Sequence, residues 1–117
     1  MNSQNKTVNL TIVRHGETDA NLKQLVQGFT DNPLNQTGEK QANAAGKALK
    51  DIVFHQSYSS DLERAYKTCQ LILEENQKSN LSVENIKQDK LLREKNFGVY
   101  EGQSSKNWKA KYAERIL

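Results

Sequence analysis

The amino-acid sequence predicts an α/β protein built on a mainly parallel sheet. Three observations carry that expectation. Apolar residues alternate along a short stretch near the N-terminus, two later stretches carry apolar residues at helical spacing, and the segments follow one another as strand, helix, strand, helix, strand. In such sheets ligands gather at the carboxyl ends of the strands, so chemistry is sought at the strand-to-helix junctions.

The first strand is expected over residues 8–13, where Val8, Leu10 and Ile12 alternate with Asn9 and Thr11. A polar loop follows and ends in the turn-prone Asn32-Pro33-Leu34. Thr37 is the expected cap of a helix reaching Lys50, whose Ala42, Ala45 and Leu49 share one face. The small alanines predict close packing on a sheet. A second strand is expected over 54–59, after which Asp61 caps a helix reaching Asn76. Leu62, Ala65, Tyr66, Cys69, Ile72 and Leu73 give that helix its apolar face. A third strand is placed over 83–88. A last helix over 104–117 carries Trp108, Tyr112 and Ile116 four residues apart, a stripe that reads as core or interface. The sequence stops inside this pattern without a glycine cap, so the chain is expected to be one part of a domain, with its motif-bearing core over 8–102.

With 117 residues, 35% of them hydrophobic and 26% charged, the chain fits one compact domain with a modest core. One cysteine, Cys69, excludes an intrachain disulfide framework and fits a reducing compartment. No apolar run is long enough to span a bilayer, and the polar residues 1–6 lack the apolar centre of a signal peptide; cytoplasm is the expected location. The net charge of +3 is scattered among acidic residues, as in Asp61-Leu62-Glu63-Arg64 and Arg93-Glu94-Lys95. A nucleic-acid binder gathers such charge into a stripe, so no nucleic-acid partner is expected. Two histidines and one cysteine assemble no metal site, and neither metal nor cofactor is expected.

The chemistry sits in three places. Arg14-His15-Gly16-Glu17-Thr18 follows the first strand. A neutral imidazole is a competent nucleophile near neutral pH, and an adjacent arginine offers a planar fork of donors to phosphate oxygens. Ser59-Ser60-Asp61-Leu62-Glu63-Arg64-Ala65 puts Arg64 in the first turn of a helix, where the dipole favours anions. Leu92-Arg93-Glu94 and Phe97-Gly98-Val99-Tyr100-Glu101-Gly102 follow the third strand, and Glu94 is the candidate proton donor to a leaving oxygen. His55 and Cys69 read as structural residues.

These stretches, with Leu34-x-x-Thr37-Gly38-x-x-Gln41-Ala42, resemble the histidine phosphatase superfamily, also called the phosphoglycerate mutase-like family, over residues 8–102. The resemblance implies a three-layer sandwich around a mainly parallel sheet. It implies that His15 is phosphorylated, that Arg14 and Arg64 hold the phosphoryl oxygens, and that Glu94 is the general acid. It places Asn21 in the phosphate pocket and Gln27 and Gly28 against the substrate. Phe97 stands where many relatives have tyrosine, so a phenolic contact is absent. The wording of the motifs is similar to that of the TIGAR-like fructose-2,6-bisphosphatases, which restrain glycolysis. The family also carries a second histidine late in its chains; His55 precedes Arg64 and is not that residue. Two readings follow: a phosphatase for a small phosphorylated metabolite, with phosphoglycerate mutase as its sibling, and a catalytically impaired product that binds phosphosugar or a partner protein. Oligomeric state is not written in these residues.

Overall fold

The computed structural model describes residues 6–106. Four-residue helix α1 spans Asp19–Leu22, helix α2 Gln36–Ala48, strand β1 Ser57–Ser59, helix α3 Glu63–Glu75 and strand β2 Ile86–Gln88. β1 and β2 pair in parallel, with Ser57 opposite Ile86, Tyr58 opposite Lys87 and Ser59 opposite Gln88. The α/β class and the parallel pairing are those the sequence predicts.

Both long helices form where their apolar spacing places them, but their caps differ. Asn35, not Thr37, caps α2, its side chain accepting from the Gly38 amide at 2.8 Å. A side-chain oxygen two residues earlier reaches the same orphan amides, so the helix starts at Gln36. Asp61 does not cap α3; Leu62 holds that position without a side-chain bond, and the Asp61 carboxylate is committed to Arg93. The main neighbour of α2 is α3 rather than the sheet. Asn76 locks the two helices at their far ends, its amide donating to the carbonyls of Leu49 at 3.0 Å and Ile52 at 2.8 Å. The apolar core is small: Val26, Ala42, Leu62, Ile72, Leu73 and Ile86 are its larger members.

The strands are shorter than expected. Residues 83–85 form a 3-10 turn rather than strand, because Ser82 and Asn85 make a reciprocal capping box that bends the backbone ahead of β2. The largest departure concerns residues 8–13, which form no strand at all. Val8, Leu10 and Ile12 are 88%, 77% and 83% exposed. Alternation specifies which side chains share a face, but a strand persists only where a neighbour completes its ladder, and among the described residues none lies alongside. Of the expected last helix, residues 107–117 lie outside those described, including Trp108, Tyr112 and Ile116.

Candidate active site

His15 lies at the end of the exposed N-terminal segment, where Gly16 turns the chain onto the first turn of α2. A Cβ at Gly16 would stand 2.4 Å from the Gly38 carbonyl oxygen, and one at Gly38 would stand 2.1 Å from that of Glu17. Only glycine at both positions permits this approach. Gln41 accepts from the Glu17 amide at 2.9 Å, and Asn35 accepts nothing from that loop but donates to the Glu17 carboxylate at 3.0 Å. The Leu34-to-Ala42 motif therefore supports the loop that carries His15.

Two bonds set the chemistry of His15. Its Nδ1 lies 2.6 Å from the Gly16 carbonyl oxygen. A carbonyl can only accept, so Nδ1 carries the proton and Nε2 keeps the lone pair. Below it, the buried Gly16 amide donates to Thr68 Oγ1 at 3.0 Å, and that hydroxyl donates to the Arg64 carbonyl at 2.7 Å. Thr68 thus joins the His15 turn to α3. Burial of the imidazole lowers its pKa from the ordinary histidine value, and the charges of Arg64 and Arg14 lower it further, against the opposing pull of the Gly16 carbonyl bond and Glu94. These influences together favour the neutral form of the ring. A cavity of about 120 Å³ lies behind it, lined by residues 13–16, Gln41, Ala42, Ala45 and Thr68.

Arg64 is 2% exposed in the first turn of α3. Its two terminal nitrogens donate to the carbonyls of Thr30 and Gly28, each at 2.6 Å. These bonds use two of the five N–H donors of a guanidinium and fix the direction of the other three. Desolvation lowers the Arg64 pKa, against the charges of Asp31, Glu94 and Glu101.

The carbonyls that hold Arg64 come from a loop with its own supports. Gly28 has φ +48°, and a Cβ there would meet the Lys95 carbonyl at 2.6 Å and the Phe97 ring at 2.8 Å. Glu101 accepts from the Thr30 amide at 2.6 Å and from the Thr30 hydroxyl. Its carboxyl pKa is lowered: desolvation pushes it up, but the Thr30 hydroxyl and the neighbouring amides together outweigh that push. Asp31 accepts from the Glu63 amide at 2.7 Å.

The structure brings Arg14, Arg64 and Glu94 within electrostatic reach of His15, and Glu94 within reach of Arg64. Arg14 and Glu94 are exposed, and Glu94 accepts from the Lys95 amide at 2.8 Å. The other three sequence candidates have local duties. Asn21 Oδ1 accepts from the Thr18 amide at 3.0 Å in the capping box of α1. Gln27 is buried, accepting from Thr18 Oγ1 at 2.9 Å and Asn32 Nδ2 at 3.2 Å. Gly28 meets Arg64 through its carbonyl. Sequence reasoning passed over Thr68, Thr30, Glu101 and the Asp61–Arg93 pair. Thr68 was signalled by standing one helical turn after Arg64, and Glu101 belongs to a motif already singled out. Among the described residues no group of His, Cys, Asp and Glu could hold a metal, and no helix is long and apolar enough to cross a membrane.

Comparison with known proteins adds an independent observation. The profile of the histidine phosphatase superfamily (branch 1) matches residues 10–117. The chain is 47% identical over 104 residues to the fructose-2,6-bisphosphatase TIGAR B of Danio rerio, a match covering 88% of this chain and 40% of that protein. It is 44% identical over 110 residues to a 2,3-bisphosphoglycerate-dependent phosphoglycerate mutase of Allorhizobium ampelinum, covering 92% of this chain and 51% of that one. The crystal structure of phosphoglycerate mutase from Bacillus anthracis superposes with a TM-score of 0.77 at 39% identity, over 88% of this chain and 44% of that chain. The chain thus spans about half, or less, of the length of these relatives.

Proposed function

This chain belongs to the histidine phosphatase superfamily, and from that premise we propose that it is a phosphatase for a small phosphorylated metabolite, working through a phosphohistidine on His15. The observation that carries this reading is the His15 imidazole, its Nδ1 2.6 Å from the Gly16 carbonyl oxygen and its ring within the fields of Arg14, Arg64 and Glu94.

In the first half-reaction the His15 Nε2 lone pair forms a bond to phosphorus as the bond from phosphorus to the ester oxygen breaks. Arg64 and Arg14 take the charge gathering on the non-bridging oxygens, the preorganised electrostatic contribution that dominates such reactions. Glu94, in its acid form, gives its proton to the departing alkoxide, which leaves as an alcohol. In the second half-reaction the Glu94 carboxylate takes a proton from water as the water oxygen bonds to phosphorus. The nitrogen–phosphorus bond breaks, inorganic phosphate leaves, and His15 and Glu94 regain their starting states. Asn21 contributes its side-chain N–H groups to the phosphate pocket, while Gln27 and Gly28 form the substrate wall.

The specific substrate proposed is fructose-2,6-bisphosphate, whose removal would restrain glycolysis; the resemblance to TIGAR B supports it. Mutase activity on phosphoglycerates is the second reading, favoured by the 44% identity to the Allorhizobium mutase. The test is phosphate release by the purified chain from fructose-2,6-bisphosphate beside 2,3-bisphosphoglycerate, with His15→Ala as control. Release from the first that requires His15 is expected. Phosphoryl exchange between phosphoglycerates without net release would favour the mutase. Turnover undiminished in His15→Ala would refute the mechanism. Phosphate binding without turnover, lost in Arg64→Ala, would favour the binding role instead.

A further inference from the structure

Beside the candidate site stands an arrangement that the mechanism above does not use. Arg93 makes a two-pronged bond to Asp61, Nε to Oδ1 at 2.6 Å and a terminal nitrogen to Oδ2 at 2.6 Å. The same guanidinium lies 4.8 Å from the centre of the Phe29 ring. The bond from Arg93 holds the Asp61 carboxyl below the usual carboxylate range, so the pair stays charged across ordinary pH.

A partly exposed ion pair contributes little to stability by itself, and its side chains here are 28% and 31% exposed. Its placement is more informative. Each of the three members sits close in sequence to a residue of the candidate site. Asp61 lies three residues before Arg64, and Phe29 directly follows Gly28, whose carbonyl orients Arg64. Arg93 directly precedes Glu94. Three segments distant in the chain are therefore pinned to one another at the point where each contributes to the site. Glu94 itself is exposed and, apart from its bond to the Lys95 amide, is placed by the backbone that Arg93 anchors. An acid that must meet one leaving oxygen needs that backbone fixed to a fraction of an ångström.

We infer that Arg93, gripped by Asp61 and Phe29, is the positioning residue that holds Glu94 over the bond to be broken. The inference rests on the phosphatase reading and assigns it a further part. Arg93 touches neither substrate nor phosphorus; it acts through Glu94. Lysine at this position would keep the charge and lose the fork, so Arg93→Lys should behave as a defect and not as a neutral change.

The experiment compares two substrates that differ in their need for an acid. Fructose-2,6-bisphosphate leaves as an alkoxide and requires a proton, whereas para-nitrophenyl phosphate leaves as a stabilised phenolate and does not. For Arg93→Lys and Asp61→Asn, kcat/KM, which reports only phosphoryl transfer to His15, should fall by about 10-fold or more on fructose-2,6-bisphosphate while kcat/KM on para-nitrophenyl phosphate stays within about twofold, a fraction of the loss a missing general acid produces. Glu94→Gln should show the same selectivity in kcat/KM more strongly, and should slow phosphohistidine hydrolysis for both substrates alike. The double variant Asp61→Asn/Arg93→Lys should be no worse than either single one, as expected of two residues acting as one unit. Equal losses on both substrates, or none, in variants that fold would overturn the assignment while leaving the phosphatase intact. Should Asp61→Asn fail to fold, Phe29→Leu with Arg93→Lys decides by the same ratio. Absence of turnover by the unsubstituted chain would refute the phosphatase reading and this assignment together.

Discussion

The two sides of the candidate site are built differently. On one side Arg64 is 2% exposed and Thr68 4% exposed, and both are tied by short bonds to backbone groups from loops far away in sequence. On the other side the segment that delivers His15 leaves Val8, Leu10 and Ile12 in solvent, with no ladder along its backbone among the described residues. Among the described residues it grips the rest of the molecule at Gly16, through Thr68 and Gly38, and at Glu17, whose amide donates to Gln41. The Arg64 side is thus held by bonds among residues 16–102, and His15 is placed by one turn and not by the segment that leads to it.

That contrast yields a graded set of expectations. His15→Ala should lower phosphate release by at least about a thousandfold, because it removes the nucleophile itself. Arg64→Ala should lower kcat by roughly 100-fold to 1000-fold, the scale of losing a preorganised charge donor, and should weaken orthophosphate binding measured by calorimetry. Thr68→Val keeps the shape but leaves the buried Gly16 amide without an acceptor, at a cost of about 1–3 kcal/mol in a denaturant titration. The His15 ring supplies a smaller, pH-dependent effect. Its folded pKa lies below the unfolded value, so the unfolded state binds more protons between the two. Stability is then fully present above the ordinary histidine value of about 6.5 and is lost as pH falls through the lowered folded value. His15→Gln should flatten this acid slope in thermal melts, and the acid limb of the activity profile should fall below that ordinary value. At the far end of the scale, Leu10→Ser on the exposed segment should change stability by less than about 0.5 kcal/mol. A loss as large as that of Thr68→Val would mean that residues 8–13 are buried in solution and would dissolve the comparison.

The same contrast explains what could be read from the sequence. The helices α2 and α3 were legible because their period depends on local backbone geometry, as Ala42 in α2 and Leu62, Ile72 and Leu73 beside and within α3 show by their burial. Their caps were not, because Asn35 and Thr37 compete for the same amides and Asp61 found a distant arginine. Residues 8–13 have every local property of a strand, and strand formation turns on a partner that local pattern does not supply. Arg64 was legible from its place in a helix's first turn. The bonds that aim it were not, since they end on the backbone carbonyls of Gly28 and Thr30, which carry no residue code.

The central claim is that His15 Nε2 carries the phosphoryl group. It is tested most directly by quenching the chain in base during turnover of fructose-2,6-bisphosphate labelled at the 2-phosphate, followed by peptide mapping and phosphorus NMR. An acid-labile phosphoryl group on His15, bonded at Nε2 and absent from His15→Ala, is the expected result. Label on another residue, at Nδ1, or nowhere while phosphate is still released would contradict it.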